Sequence, residues 1–205
     1  MSNKRFSYLS INETASSLYK EKGSKFIGLV FSCTKIEDFK SKIKEIKKEY
    51  HSARHFCYAF SFGVDDVSYR YSDDGEPSNS AGAPIYGQIK SFELSNVGIV
   101  VVRYFGGTKL GVSGLIKAYK TAAKMAINEA SIIEIDQTID MKITFDIESI
   151  QHVMTLLKQN NINIKDASYQ PPCYINCILP LKIKTNIENQ LQKIHQVAYE
   201  ILIKQ

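Results

Sequence analysis

Apolar positions recur along the first third of the chain with two different periods. Residues 6–11 and 25–33 are rich in aromatic and β-branched side chains and read as strands. After Thr34 the period lengthens: Ile36, Phe39, Ile43, Ile46 and Tyr50 stand three and four residues apart, one helical stripe facing a sheet. Thr34 and Glu37 have the spacing of a capping box, which gives two otherwise unpaired backbone N–H groups an acceptor. Lys40, Lys42, Lys44, Lys47 and Lys48 fall off the stripe, on a solvated face. Residues 55–62 and 67–71 predict a β-hairpin turned at Gly63-Val64-Asp65-Asp66. A short helix is expected over 80–92, with Pro84 in its first turn. Residues 97–102 are nearly all apolar, as a central strand covered on both faces requires, and a helix over 113–130 follows.

Beyond Ser131 the pattern changes. A long strand stretch leads to Asp146, which is placed to cap a helix carrying Ile150, Val153, Met154 and Leu157. Residues 162–169 and 173–181 read as strands joined at Gln170-Pro171-Pro172. Thr185 and Glu188 form a second capping box, opening a helix with Ile187, Leu191 and Ile194, and residues 197–203 close the chain as a strand. The order β-α-β-β-α-β is that of a ferredoxin-like domain. The expectation is an α+β protein of two domains, 1–135 and 136–205.

Composition narrows the setting. At 205 residues, 44% hydrophobic and 23% charged, the chain has the means to bury a core and is not disordered. No apolar run approaches the roughly 18 residues a membrane span needs. The opening Met1-Ser2-Asn3-Lys4-Arg5-Phe6 lacks the apolar segment of a secretory signal. Cys33, Cys57, Cys173 and Cys177 show no disulfide-scaffold density, so a cytoplasmic location is expected, with no membrane partner. Cys173 and Cys177 share a strand face too far apart to meet on one metal ion. The net charge of +5 permits a polyanionic partner. With 22 Lys against 4 Arg, phosphate contact fits better than bidentate base reading, and sequence-specific DNA binding is not expected.

Candidate chemistry concentrates where the glycines do: eight of 11 lie between Gly75 and Gly114. One loop there runs from Arg70 through Ser72, Asp73, Asp74, Gly75 and Glu76 to Pro84. The other follows the central strand: Arg103-Tyr104-Phe105-Gly106-Gly107-Thr108-Lys109-Leu110-Gly111. A strand, a glycine-rich loop and a helix present free N–H groups and the positive end of a helix dipole, an anion site in the making. Gly106, Gly107 and Gly111, with Arg70, Arg103, Lys109 and Lys117, are the residues expected to contact phosphate or nucleic acid. Lys117, Lys120 and Lys124 share one face of the next helix. Ser72, Asp73, Asp74 and Glu76 form the opposing wall in this reading. Neither a P-loop nor a G-x-G-x-x-G fingerprint is present: Gly106 and Gly111 have the P-loop spacing, but Val112-Ser113 stands where Lys-Ser/Thr belongs. In a purely structural alternative, the glycines make tight turns and close packing. In an enzymatic one, Asp73, Asp74 and Glu76 hold a divalent cation and His55 acts as base in a metal-assisted hydrolase. A binding role is expected rather than an enzymatic one, with no cofactor and no metal.

At these two loops the sequence resembles the IMPACT/YigZ family. The resemblance rests on residues 70–77, on Ala81-Gly82-Ala83-Pro84 and on residues 100–111, with Gly23-Ser24-Lys25-Phe26 and His55-Phe56-Cys57-Tyr58-Ala59. It implies an N-terminal domain (1–135) like the second domain of a small-subunit ribosomal protein and a ferredoxin-like C-terminal domain (136–205). It also implies a link to translation, so the leading expectation is a partner that is RNA or the translation apparatus, and a rival one is a pure protein-interaction module for a translation factor or ribosome-associated scaffold. Eukaryotic relatives regulate translation under amino-acid starvation with help from an extra N-terminal domain, an activity not expected here whole. Asn79 and Ser113 stand where the family commonly has glycine, and Phe56 where it often has histidine. Asn79 tolerates a left-handed backbone, whereas Ser113 is strained if its position needs one.

Overall fold

In the computed structural model, which describes residues 5–65 and 67–202, helices and antiparallel sheets alternate in two compact units. One unit is Tyr8–Ile135; the other runs from Asp136 and includes the segment ending at Ser7. Asp66, expected in a hairpin turn, and Ile203, expected at the end of the last strand, lie outside the described residues. No helix among the described residues is long and apolar enough to cross a membrane.

The Tyr8–Ile135 unit is built on a five-stranded antiparallel sheet. Its strands are β2 (Ala15–Glu21), β3 (Ser24–Ser32), β4 (His55–Phe62), β5 (Ser68–Ser72) and β6 (Val97–Tyr104), in the order β2-β3-β6-β4-β5. β6 is central and its Val97–Val102 stretch is buried, as an apolar strand covered on both faces must be. On one face lies α1 (Ile36–Glu49), whose Phe39 and Ile46 pack against Leu29, Phe31, Phe60 and Val100. On the other lie α2 (Gly82–Ser91) and α3 (Gly111–Asn128), burying Ile85, Ile89, Leu115, Ala122 and Ile127 against Phe26, Val30, Ile99 and Val101. The alanines of α3 let the helix approach closely: a methyl group at Gly28 would stand 2.5 Å from the Ala122 carbonyl oxygen. A two-stranded sheet of β1 (Ser7–Ile11) and β7 (Ile132–Asp136) completes the strands at the ends of this unit.

The second unit has the element order β8 (Thr138–Phe145), α4 (Ile150–Gln159), β9 (Asn163–Ser168), β10 (Cys173–Pro180), α5 (Lys184–Leu191) and β11 (Val197–Leu202). Its sheet is antiparallel in the order β11-β8-β10-β9, and Met141, Ile143, Leu157, Ile175, Ile187 and Leu191 form its core. Cys173 and Cys177 are buried on the same face of β10, and all four cysteines are free.

The pattern of the chain misses β2, and both capping boxes are corrected. β2 alternates only weakly, with half-buried residues between exposed ones, so Ser16, Ser17 and Lys20 hide its period. α1 begins at Ile36 after an extended Lys35, with no side-chain cap, so Thr34 stands one residue too early. Thr185 lies inside α5, which opens from a 3-10 turn at Leu181–Ile183. Asp146 likewise precedes a 3-10 turn, where its carbonyl rather than its carboxylate accepts the Ser149 amide.

Candidate functional site

The two polar loops meet the same end of the sheet, and the structure treats them in opposite ways. In the first, every acidic side chain turns inward. Asp73 accepts three backbone amides: Asn79 at 2.8 Å on Oδ2, and Ala81 at 2.9 Å and Gly82 at 2.8 Å on Oδ1. It therefore does the work of a helix cap for α2 from outside the helix, whose own N-cap residue is Ala81. Asp74 Oδ2 accepts the Phe56 amide at 2.7 Å, and its carbonyl lies 3.0 Å from His55 Nδ1. Ser72 Oγ accepts the Asp74 amide at 3.3 Å, and Cys57 Sγ donates to the Asp73 carbonyl at 2.9 Å.

Glu76 goes deepest. Its side chain is 4% exposed, and Oε1 accepts Arg103 Nη1 at 2.6 Å and Tyr119 Oη at 2.7 Å. Arg103, with its side chain 7% exposed, lies between two rings, its guanidinium carbon 5.4 Å from the Phe26 centroid and 5.5 Å from that of Phe105. A charge removed from water needs a partner, and Glu76 supplies it. Burial raises the Tyr119 hydroxyl pKa, with the neighbouring Cys57 adding to the effect, and burial likewise raises the Cys57 thiol.

The second loop is open. Residues 105–109 are exposed, as are Gly111, Val112 and Ser113 at the start of α3. Gly107 at φ +89° and Gly111 at φ +71° adopt left-handed backbone that a side chain would strain. Gly106 is fixed differently: a methyl group there would fall 1.9 Å from the Gly23 carbonyl carbon, so the β2–β3 turn packs directly on it. Its amide donates to Ser24 Oγ at 3.1 Å. The amides of Gly107, Thr108 and Lys109 have no partner among the described residues. The first amides of α3 lack intrahelical acceptors by construction, and no acidic residue stands in that first turn. Lys109, Lys117, Lys120 and Lys124 are exposed.

Several expected site residues are thus relocated. Arg103 does not face an open anion site; it is buried on the carboxylate of Glu76. Gly106 keeps its place in the loop but not its free amide. Arg70 sits opposite Phe60 in the β4–β5 register and so lies on the α1 face, whereas Arg103 pairs with Phe26 and faces α2 and α3. Ser72, Asp73, Asp74 and Glu76 are no open wall, since internal donors and acceptors engage them. The same bonds undo the hydrolase reading, because Asp73, Asp74 and Glu76 point to three separate sets of donors instead of converging with His55. Among the described residues no three His, Cys, Asp or Glu side chains gather in a metal-binding group. Asn79 takes a left-handed φ of +61°, as its type tolerates, and Ser113 sits within α3, outside the positive-φ residues.

Tyr119 is the residue that sequence reasoning missed, and Ser24 and Phe105 were named only as members of their segments, without a role. A lone arginine at the end of a fully apolar strand was the available signal, because such a charge must find a buried partner.

Comparison with known proteins places these loops in context. The family model of the Impact N-terminal domain matches residues 22–127. An IMPACT family member from Haemophilus influenzae is 32% identical over 167 residues, 80% of this chain and 80% of its own. The IMPACT family member YigZ from Escherichia coli is 30% identical over 161 residues, 78% of this chain and 79% of its own. A crystal structure described only as a hypothetical protein matches with a TM-score of 0.72 at 24% identity, covering 98% of this chain and 99% of that one, a likeness of fold.

Proposed function

This chain belongs to the IMPACT family, and on that premise we propose that it is a binding protein of the translation apparatus that grips RNA by its phosphates. The translation setting is what the family resemblance implies. The RNA contact rests on one observation: an exposed glycine turn carrying Lys109 leads into a helix start with unpartnered amides and no acid. Lys117 extends the positive surface along α3, with Lys120 and Lys124 beyond it. Gly107, Lys109, Gly111 and Lys117 are the contact residues in this reading. Arg103, anchored on Glu76 and lying over the Phe105 ring, is the frame beside the turn.

We also read residues 1–135 as the Impact-type domain, like the second domain of a small-subunit ribosomal protein, and 136–205 as a ferredoxin-like domain. The β-α-β-β-α-β order and the β11-β8-β10-β9 sheet support the second assignment.

The test is the salt dependence of RNA binding for the wild type and a Lys109→Ala/Lys117→Ala variant. Each lost phosphate contact on a single strand lowers the log–log slope by about 0.7, so the double variant is expected to lose about 1.4. Parallel lines, or no binding by the wild type at low salt, overturn the assignment.

A further inference from the structure

The sheet face that carries α1 is not covered to its end. α1 stops at Glu49, and beyond its C-cap residue Tyr50 the β2–β3 corner of that face is open. Strand register sets what the corner presents, in two rows. Leu18 lies opposite Ile27; two residues nearer the hairpin turn, Lys20 lies opposite Lys25, with Tyr104 on the other side of Lys25. Leu18 is 48% exposed, and Ile27, Tyr50 and Tyr104 are half-buried. A single exposed leucine is ordinary, but these four residues join Lys25 in the walls of one groove of about 770 Å³.

The charge at this corner is unbalanced. Like charges directly across a strand pair destabilise it, yet Lys20 and Lys25 stand opposite each other and both are exposed. Lys22, also exposed, occupies the turn between them at φ +46°, where Asn or Gly is the usual residue. None of the three forms an ion pair among the described residues. The neighbouring acids are engaged by tyrosines. Glu21 accepts the Tyr19 hydroxyl at 2.7 Å, on the face of β2 turned to α3. Glu49 lies beside the Tyr50 hydroxyl, whose pKa is raised by burial first and by this carboxylate second. Three uncompensated cations beside an apolar floor break local rules with no gain inside the fold, and a partner outside it would supply the compensation.

We propose that this corner docks an extended acidic segment of a partner protein, with an apolar side chain on the Leu18–Ile27 row and a carboxylate on the Lys20–Lys25 row. The rows are two residues apart on each strand, about 7 Å, which is the spacing of side chains i and i+2 on one face of an extended peptide. The aliphatic floor selects protein over nucleic acid, whose backbone brings negative charge but no aliphatic side chain to cover Leu18 and Ile27. The corner lies on the α1 face, whereas α3 and its lysines lie on the other, so the inference stands without the phosphate reading.

The experiment measures binding of a fluorescein-labelled peptide of about nine residues centred on Glu-Ser-Leu-Ser-Glu, beside a control with Ser in place of its Leu. The wild type is expected to bind the leucine peptide about tenfold more tightly than the control, the effect of burying one aliphatic side chain. Leu18→Ser removes that preference with little change in the urea midpoint, since Leu18 is half out of the core. Lys20→Gln/Lys25→Gln weakens both peptides and flattens their salt dependence, while Lys109→Ala/Lys117→Ala alters neither. Equal affinity for the two peptides, a preference that survives Leu18→Ser, or no binding of either at low salt overturns the proposal. So does loss of the leucine peptide in the Lys109→Ala/Lys117→Ala variant, which would place it on the glycine turn. An oligouridylate of matching charge that displaces the peptide and depends equally on Leu18 overturns it in favour of single-stranded RNA.

Discussion

The two polar loops at one end of the five-stranded sheet look alike in composition and differ in what their polar groups do. Asp73, Asp74 and Glu76 satisfy amides, a guanidinium and a phenol within the fold. The loop over residues 105–111 carries an exposed lysine and unpartnered amides. Density of charged and glycine residues therefore marks two things: a joint that locks the chain, and a surface that waits for a partner. Hydrogen-bond accounting separates them, because a buried polar group must find its partner inside, whereas an exposed one does not.

The sharpest way to break this comparison is to remove the deepest inward group. Glu76→Ala leaves Arg103 buried and unpaired and orphans the Tyr119 hydroxyl, so it is expected to lower stability by about 3–5 kcal/mol. Urea denaturation measures this directly. A loss below about 1 kcal/mol would mean that water reaches the guanidinium, and that the first loop is less closed than its hydrogen bonds require.

Asp73→Ala comes next. It strips acceptors from three amides and leaves the start of α2 uncapped, with an expected cost of about 2–3 kcal/mol by the same denaturation. Asp73→Asn keeps one carbonyl acceptor and is expected to cost about half as much.

These two residues also mark how far the sequence alone carries. The strands and helices of regular period were legible, because burial of one face imposes a spacing on the chain: β4 and β6, the stripe of α1 and the span of α3 stand where the pattern puts them within a few residues. The roles of Asp73 and Glu76 were not. Three acids within four residues read equally well as a turn, a cation site or a binding wall, and only the fold brings Glu76 to Arg103, 27 residues away. The capping boxes failed for a related reason. A short motif records a local preference, and the entry of the chain into α1 and α5 is set by the strand or the 3-10 turn before it. Phe105 was read only as a member of the glycine loop, because nothing local tells an exposed ring from a buried one.

The closure of the first loop also shows in alkaline behaviour. Cys57, beneath the first loop, has its thiol pKa raised chiefly by burial; Cys33 is pushed up to about 12 and Cys177 to about 11 by the same cause. In the unfolded chain a thiol ionises near pH 8.5. Below that pH both states hold the proton and stability is unaffected. Above it the unfolded state releases the proton first, so stability falls as pH rises, by up to about 1.4 kcal/mol per pH unit for each thiol. Denaturation between pH 8.5 and 10.5 is expected to show this fall, and Cys57→Ala to reduce its slope by about one thiol's share. An unchanged slope would mean that Cys57 is open to solvent and the floor of the first loop is not dry.

The smallest expected effect is the one that tests the outward loop. Lys109 and Lys117 are exposed, form no ion pair among the described residues and stand outside the apolar core. Lys109→Ala and Lys117→Ala are each expected to change unfolding free energy by less than about 0.5 kcal/mol, because surface substitutions away from buried features rarely do more. Any change at low ionic strength should fade as salt screens it, since exposed charges interact through water. A loss of 1 kcal/mol or more that persists at high salt would show Lys109 engaged within the fold, as Arg103 is. The second loop would then be another internal joint, and the distinction between lock and surface would fail at the residue that most depends on it.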